Sequence, residues 1–351
     1  MSEDINQNRE DHNKNKQSEK TRTRNAEQVE KSEIPHFFPT FRMKRSLYPI
    51  PIIITMLGAG ILAYISYIFS NITGIQMEGG YFPEEEFGLL GGILDGLIFT
   101  GTAIISAFII VIIVKKKGVN ALKYIFGFSL LSIGILETIY FTQTILFLLF
   151  NSLPEFPNIQ LVYELTNYLM IGVIVVFNIF MMYKYFTTES VLVKNFVVIY
   201  IGLITGALLV IFMPLWSTII ILIGISIYDL FAVLYKHGPI KQMIELISEE
   251  EKSVEQEIKM GEKEYDTSKI ELGIGDLVFY SLLTSTTLFI ENLYFLENII
   301  ITVLSGLAII IGAAITIQNL KKNKILPGLP ISIFLGLGTM LISWTIFAFV
   351  I

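Results

Sequence analysis

Acidic residues that lie within apolar runs are the first candidates for chemistry in this sequence. They are Asp95, Glu137, Asp229 and Asp276, and the interior of the surrounding runs offers no Lys or Arg to neutralise them. An ionised carboxylate in the middle of a bilayer costs at least about 2.5–3.5 kcal/mol, so such residues are functional candidates by default. Two carboxyl groups brought close together can share one proton, which supplies a general base and a general acid at one site.

Other kinds of intramembrane catalysis lack the residues that they need. The sequence has no cysteine, which excludes thiolate nucleophiles and Cys-ligated metals. Its three histidines, His12, His36 and His237, lie outside the apolar runs, so neither a Ser-His hydrolase nor an HExxH zinc protease can be built there. Catalysis within the membrane would have to use carboxylates, and no metal or cofactor is expected.

Composition places most of the chain in lipid. Hydrophobic residues make up 53% of the sequence and charged residues 16%, which is far from the balance of a soluble domain. Apolar runs of bilayer-crossing length predict an all-α polytopic membrane protein with nine transmembrane helices. The predicted spans are residues 48–70, 88–114, 121–150, 161–186, 195–213, 216–235, 272–290, 298–317 and 330–351.

The distribution of Lys and Arg predicts the orientation. These residues occur at alternate ends of successive spans, so the positive-inside rule places the N-terminus in the cytoplasm and the C-terminus outside. We expect a disordered cytoplasmic tail at 1–47, six helices in 48–235, a cytoplasmic loop at 236–271 and three helices in 272–351. Gly238-Pro239 begins that loop, and an amphipathic helix is indicated by the spacing of Ile240, Met243, Ile244 and Ile247.

Two of the buried acids are predicted to lie at the same depth. Asp229 precedes Lys236 by seven residues and Asp276 follows Lys269 by seven. At about 1.5 Å per helical residue, both carboxyl groups lie roughly 10 Å from the charged boundary. Their spans are antiparallel, so the two groups can meet. For Asp95 and Glu137 we favour a structural role, as protonated acids that are hydrogen-bonded within the bundle.

Three local motifs support the pairing of Asp229 with Asp276. They are IYDLFAVLYKHGP around Asp229, LGIGDLVFYSLL around Asp276, and ILPGLPISIFLG before the last span. They resemble the YD, GxGD and PAL signatures of the presenilin and signal peptide peptidase family of intramembrane aspartyl proteases, and more closely the presenilin branch. One position departs from the family pattern, because Gly328 stands where the PAL signature has alanine.

The resemblance implies roles for individual residues. Asp229 and Asp276 would be the catalytic pair, with either one as the base. Gly273 and Gly275 would let a substrate backbone approach, unless they serve packing alone. Further substrate contacts would come from Tyr228, which could instead be an ordinary interfacial tyrosine, and from Pro327, Gly328 and Leu329, which could instead form a simple entry turn. Such an irregular segment could pair with an unwound substrate.

The resemblance also implies an activity and its setting. It predicts an endopeptidase that cuts transmembrane helices of membrane proteins near the cytoplasmic side, within the cell membrane of a microbe or an endomembrane of a eukaryote. No nucleic acid is expected as a partner, and accessory subunits or a homo-oligomer stay open. The main alternative is an ion- or proton-coupled transporter or channel that uses the buried carboxylates. A prepilin peptidase and an inactive scaffold are weaker alternatives.

Overall fold

Nine main helices account for most of the residues whose structure is known. A computed structural model describes residues 38–75, 80–82, 84–118, 120–235, 238, 242, 269–320 and 327–349. Within these ranges the main helices are α1 (Pro49–Thr73), α2 (Leu89–Lys117), α3 (Asn120–Asn151), α4 (Ile159–Thr187), α5 (Val191–Phe212), α6 (Leu215–Leu234), α7 (Ile274–Thr286), α8 (Phe295–Leu320) and α9 (Leu329–Phe349).

The helix lengths confirm the predicted fold class. Among the described residues, eight helices are long and apolar enough to cross a bilayer. The exception is α7, which reaches only Phe289 even with the 3-10 turn that follows it. The protein is therefore an all-α, multi-pass integral membrane protein. Its orientation across the bilayer stays a prediction.

The short helix α7 lies at the centre of the bundle. It packs against α1, α5, α6, α8 and α9, and every residue from Tyr280 to Thr286 is buried. Close contact with α5 depends on Gly206, where an added Cβ would lie 2.7 Å from the Cβ of Ser281. Small residues allow helix backbones to approach in membranes, where van der Waals packing drives association. Protein rather than lipid therefore surrounds α7.

The segment before α7 is a strand, which the sequence-based prediction missed. Strand β1 (Thr40–Lys44) pairs antiparallel with strand β2 (Lys269–Gly273), with Arg42 opposite Glu271. Two predictions need correction as a result. The predicted span 272–290 does not begin as helix, and residues 40–47, assigned to the disordered tail, form β1 and a 3-10 turn. Residues 1–37 lie outside the described part of the chain.

The predicted loop 236–271 is described only at its edges. The amphipathic helix expected around Ile240 and Ile247 falls outside the described residues, as does Lys236. The depth estimate for Asp276 assumed seven helical residues after Lys269, whereas the first four of these positions are extended. Among the described residues, the largest buried cluster includes side chains of α6, α7, α8 and α9, and the two candidate aspartates lie on the first two of these helices.

Candidate active site

Asp229 lies on α6, five residues before the helix ends at Leu234. Its carboxyl group is partly buried, and its Oδ2 accepts a hydrogen bond of 3.3 Å from the backbone N–H of Leu329. Leu329 is the first residue of α9, so its N–H has no partner within its own helix. The carboxylate therefore satisfies an otherwise unpaired donor, and this contact brings α6 to the start of α9.

Asp276 lies in the first turn of α7. Gly273 is the N-cap residue, where the extended backbone of β2 becomes helical. A carboxylate is favoured in the first helical turn because the unpaired N–H groups there carry partial positive charge. Asp276 approaches Gly328 and Asp229 approaches Leu329, which are adjacent residues of one turn, so the two acids that the sequence predicted as a pair are neighbours.

The turn before α9 contacts both aspartates. Pro327 is buried, and Leu329 donates to Asp229. On the other side, a Cβ added to Gly328 would lie 2.9 Å from Asp276 Oδ2 and 3.4 Å from its Cγ. The missing methyl group, which is the departure from the family signature, thus leaves room for the Asp276 carboxyl group. Two carboxyl groups and one backbone donor meet at this turn.

Tyr280 is a site residue that the sequence-based reasoning missed. It follows Asp276 by four residues, so both side chains lie on the same face of α7. Its hydroxyl lies 3.3 Å from the carbonyl oxygen of Gly328 and 3.0 Å from Ser332 Oγ, and its side chain is 1% exposed. It interacts electrostatically with both aspartates. The i+4 spacing after Asp276 was the signal available in the sequence.

The other predicted substrate contacts surround the pair. Tyr228 interacts electrostatically with Asp229, and its buried hydroxyl has no hydrogen-bond partner among the described residues. An added Cβ on Gly273 would meet the Asp276 carboxyl at 3.7 Å, whereas one on Gly275 would meet nothing within 4 Å. Open space at Gly275 is where another backbone could approach. The substrate-binding role of these residues stays a prediction.

The remaining buried acids have separate structural partners. Asp95, which is 4% exposed, accepts hydrogen bonds from the backbone N–H groups of Tyr81 and Phe82 at 2.9 and 3.2 Å, so it holds the connection that precedes α2. Glu137 on α3 accepts a 2.7 Å hydrogen bond from Thr205 on α5. These contacts support the structural roles that we favoured for both residues.

The fold and site together define a class of protein. It is a multi-pass integral membrane protein in which two carboxyl groups on separate helices meet at the entry to the last helix. The family model described as Presenilin matches residues 49–258 and 248–351, which is most of the chain. The chain therefore belongs to the presenilin family.

Two relatives show how far the similarity extends. Presenilin-B of Dictyostelium discoideum is 29% identical over 250 residues, which cover 71% of this chain and 47% of that protein. A presenilin-like protein of Arabidopsis thaliana is 24% identical over 324 residues, which cover 70% of this chain and 76% of that protein. The match thus spans about half of the first relative and three quarters of the second.

Solved structures support the fold. A presenilin family intramembrane aspartate protease, determined in two space groups, superposes on this chain with TM-scores of 0.53 and 0.50. The matches cover 85% of this chain and 99% and 97% of the solved chains, at identities of 14% and 13%. The chain has the fold of a presenilin family intramembrane aspartate protease.

Proposed function

We propose that this protein is an intramembrane aspartyl endopeptidase that cleaves transmembrane helices of membrane proteins near the cytoplasmic side. The observation that carries the proposal is the meeting of Asp229 and Asp276 at the Pro327-Gly328-Leu329 turn, in a chain of the presenilin family. The substrates are membrane proteins in the same bilayer. Neither an accessory subunit nor a second copy of the chain is part of the proposal.

The reaction that we propose is general acid–base hydrolysis. The ionised aspartate takes a proton from water while the water oxygen attacks the peptide carbonyl carbon, and the protonated aspartate gives its proton to the carbonyl oxygen. Collapse of the resulting diol breaks the C–N bond: the aspartate that is now protonated gives its proton to the leaving nitrogen, and the other, now a carboxylate, takes the proton of a diol hydroxyl. Asp229 and Asp276 share one proton because their mutual repulsion disfavours double ionisation.

Substrate binding would use the glycines and the turn. A helical substrate hides its scissile carbonyl, so it must unwind before water can attack. Gly275 offers open space beside Asp276, where an unwound backbone could come close. Tyr280 would act as a positioning residue, because its hydroxyl contacts the Gly328 carbonyl and so holds the turn whose Leu329 N–H reaches Asp229.

The test is cleavage of a single-span substrate by the purified full-length protein in liposomes. We expect Asp229→Asn and Asp276→Asn each to reduce kcat/KM by at least about a hundredfold, since each removes one member of an acid–base pair. The double variant should be scarcely worse than either single one, because the pair acts as a unit. Asn is nearly isosteric, so both variants should fold.

A matched control is Asp95→Asn, which changes another buried carboxylate that lies outside the site. It should cleave at close to the wild-type rate. If Asp229→Asn or Asp276→Asn cleaved the substrate at the wild-type rate, the proposal would be contradicted. Proton or cation flux into the same liposomes that disappears in Asp229→Asn, with no cleavage by the wild type, would instead favour the transporter alternative.

A further inference from the structure

The segment before the first membrane helix is attached to both parts of the chain that form the site. This N-terminal segment, Phe38–Arg45, contains β1, which pairs with β2 directly before α7. Side chains reinforce the pairing: Arg42 Nε lies 3.0 Å from Glu271 Oε1, and Thr40 Oγ1 donates to Glu271 Oε2 at 2.7 Å. Two charged or polar contacts on Glu271 thus fix the register of the strand that leads to Asp276.

The outer edge of β1 is held by one side chain of α5. The Asn195 Oδ1 accepts the Arg42 backbone N–H at 2.8 Å, and its Nδ2 donates to the Arg42 carbonyl at 2.7 Å. An amide side chain here makes the two hydrogen bonds that a third strand would make. Because both Arg42 backbone groups point to Asn195, Arg42 and Glu271 form a non-hydrogen-bonded cross-strand pair, whose side chains lie close together.

The N-terminal segment also caps the helix that carries Asp276. Ile274 is the first residue of α7, and the N-cap residue Gly273 has no side chain to satisfy the exposed N–H groups. The Pro39 carbonyl accepts the Ile274 N–H at 3.1 Å. It thereby satisfies one of the helix's unpaired donors, two residues before Asp276. The N-terminal segment therefore contributes the contact that caps the start of α7.

The N-terminal segment is also attached to α8, the helix that precedes the Pro327 turn. The Arg45 guanidinium donates to the Ile317 carbonyl at 2.6 Å. Ile317 lies in the last turn of α8, where carbonyl groups lack intrahelical partners and a positive charge is favourable. Residues 321–326, between α8 and Pro327, lie outside the described chain. The same segment thus contacts the start of α7, two residues before Asp276, and the last turn of α8, the helix before the Pro327 turn.

We propose that the N-terminal segment is a positioning element of the active site, anchored by Asn195, that fixes Asp276 relative to the Gly328–Leu329 turn. The proposal rests on the proposed protease function. It gives the segment a role in where and how fast the substrate is cut. It also requires that β1 stay paired with β2 during catalysis, rather than act as a removable cover.

A disulfide tests whether β1 stays in place. The chain has no cysteine, so Arg42→Cys combined with Glu271→Cys can form a single cross-link, and a non-hydrogen-bonded pair has a Cα separation of about 4.5 Å, within the disulfide range. We expect the full-length variant to cross-link under mild oxidation and then to cleave at the wild-type position and rate. Reduction, which leaves neither ion pair nor cross-link, should lower kcat/KM about fivefold.

The reverse result would overturn the proposal. If the cross-linked protein were inactive and reduction restored cleavage, β1 would have to leave β2 for the substrate to bind. Cross-link yield does not depend on activity. If the wild-type protein cleaved nothing, the protease function would fail while the pairing of β1 with β2 could still be measured.

Asn195 provides the second arm of the experiment. Asn195→Ala should lower kcat/KM about tenfold, because two hydrogen bonds to Arg42 are lost, and should broaden the set of cleaved bonds, measured by mass spectrometry of the products. Combining it with the oxidised cysteine pair should restore both rate and position. If the disulfide did not restore kcat/KM and the cleavage position, Asn195 would act elsewhere in the bundle, and its proposed role as the anchor of β1 would be wrong.

The matched control is Asn178→Ala. Asn178 is likewise an asparagine whose amide donates to a backbone carbonyl, that of Ile174; it is more buried than Asn195, and its hydrogen-bond partners, Ile174 and Tyr200, lie outside the N-terminal segment. It should destabilise the bundle to a similar degree without changing the position of cleavage. A changed position in Asn178→Ala would show that any loosening of the bundle has this effect, and the positioning role of Asn195 would be refuted.

Discussion

Adding one methyl group at Gly328 should impair cleavage, although it restores the family's alanine. In this chain, the Cβ of Gly328→Ala would lie 2.9 Å from Asp276 Oδ2, about half an ångström closer than a favourable van der Waals contact. Gly328 is not among the glycines with positive φ, so alanine causes no backbone strain there. The cost comes only from the Asp276 carboxyl group, which must rotate away from the Gly328–Leu329 segment and from Asp229.

The magnitude follows from the size of that movement. Turning the Asp276 side chain about 30° from its preferred rotamer costs roughly 0.5–1.5 kcal/mol. If this cost appears fully in the transition state, kcat/KM falls about twofold to tenfold. A larger loss would follow if the shift also separated the two carboxyl groups, since a misplacement of about 1 Å at a catalytic centre can cost a hundredfold.

The assay is cleavage of a single-span peptide in liposomes, with kcat and KM measured separately. The control is Gly338→Ala on α9, the helix that follows the turn, where an added Cβ meets nothing within 4 Å. Its kinetics should match the wild type. If Gly328→Ala cleaved as fast as the wild type, the close approach between the turn and Asp276 would be irrelevant to catalysis, and our explanation for the glycine would be wrong.

Three further predictions concern the same turn and the pair. Tyr280→Phe should keep the fold but lower kcat/KM about tenfold, because the Gly328 carbonyl loses a buried donor; unchanged kinetics would remove Tyr280 from the site. Leu329→Pro, which deletes the N–H that reaches Asp229, should lose at least about tenfold more activity than Leu329→Ala, which keeps it. The pH–rate profile of the wild type should be bell-shaped, since full protonation removes the base and full ionisation removes the acid; a profile that rises to a plateau would argue against a shared proton.

The helices could be predicted from sequence because the bilayer imposes a length on them. Runs of about 20 apolar residues have few alternatives in lipid, where every backbone group must be satisfied within its own segment. The predicted spans accordingly match the observed helices to within a few residues, as for 216–235 against Leu215–Leu234. The span that contains Asp276 also matches to within a few residues, but its first two residues, Leu272 and Gly273, belong to β2, where pairing with β1 satisfies the backbone instead of a helix.

Strand β1 was not predictable by the same reasoning. The sequence PTFRMKRSL follows a long polar tail, and its alternation of polar and apolar residues covers only the five residues TFRMK, so the composition of the tail outweighed this short signal and favoured disorder. Its strand conformation depends on partners that are distant in sequence, namely β2 and the amide of Asn195. Local pattern cannot reveal a two-stranded sheet whose strands are separated by more than two hundred residues and six membrane helices.

The residues that we propose as catalytic and the residues that hold them therefore leave different traces in the sequence. A carboxylate in an apolar run is costly, so Asp229 and Asp276 attract attention without any structure. Asn195, Tyr280 and Pro39 carry no such cost, because an asparagine near a helix start, an aromatic residue in a span and a proline before one are all ordinary. Their importance comes from three contacts: the Asn195 amide on β1, the Tyr280 hydroxyl on the turn, and the Pro39 carbonyl on the first N–H of α7. The pair of carboxyl groups that we propose to share a proton would tolerate little movement; in this chain the helix of Asp276 is capped by the Pro39 carbonyl, and Asp229 accepts the N–H of Leu329, contacts that only the fold brings about.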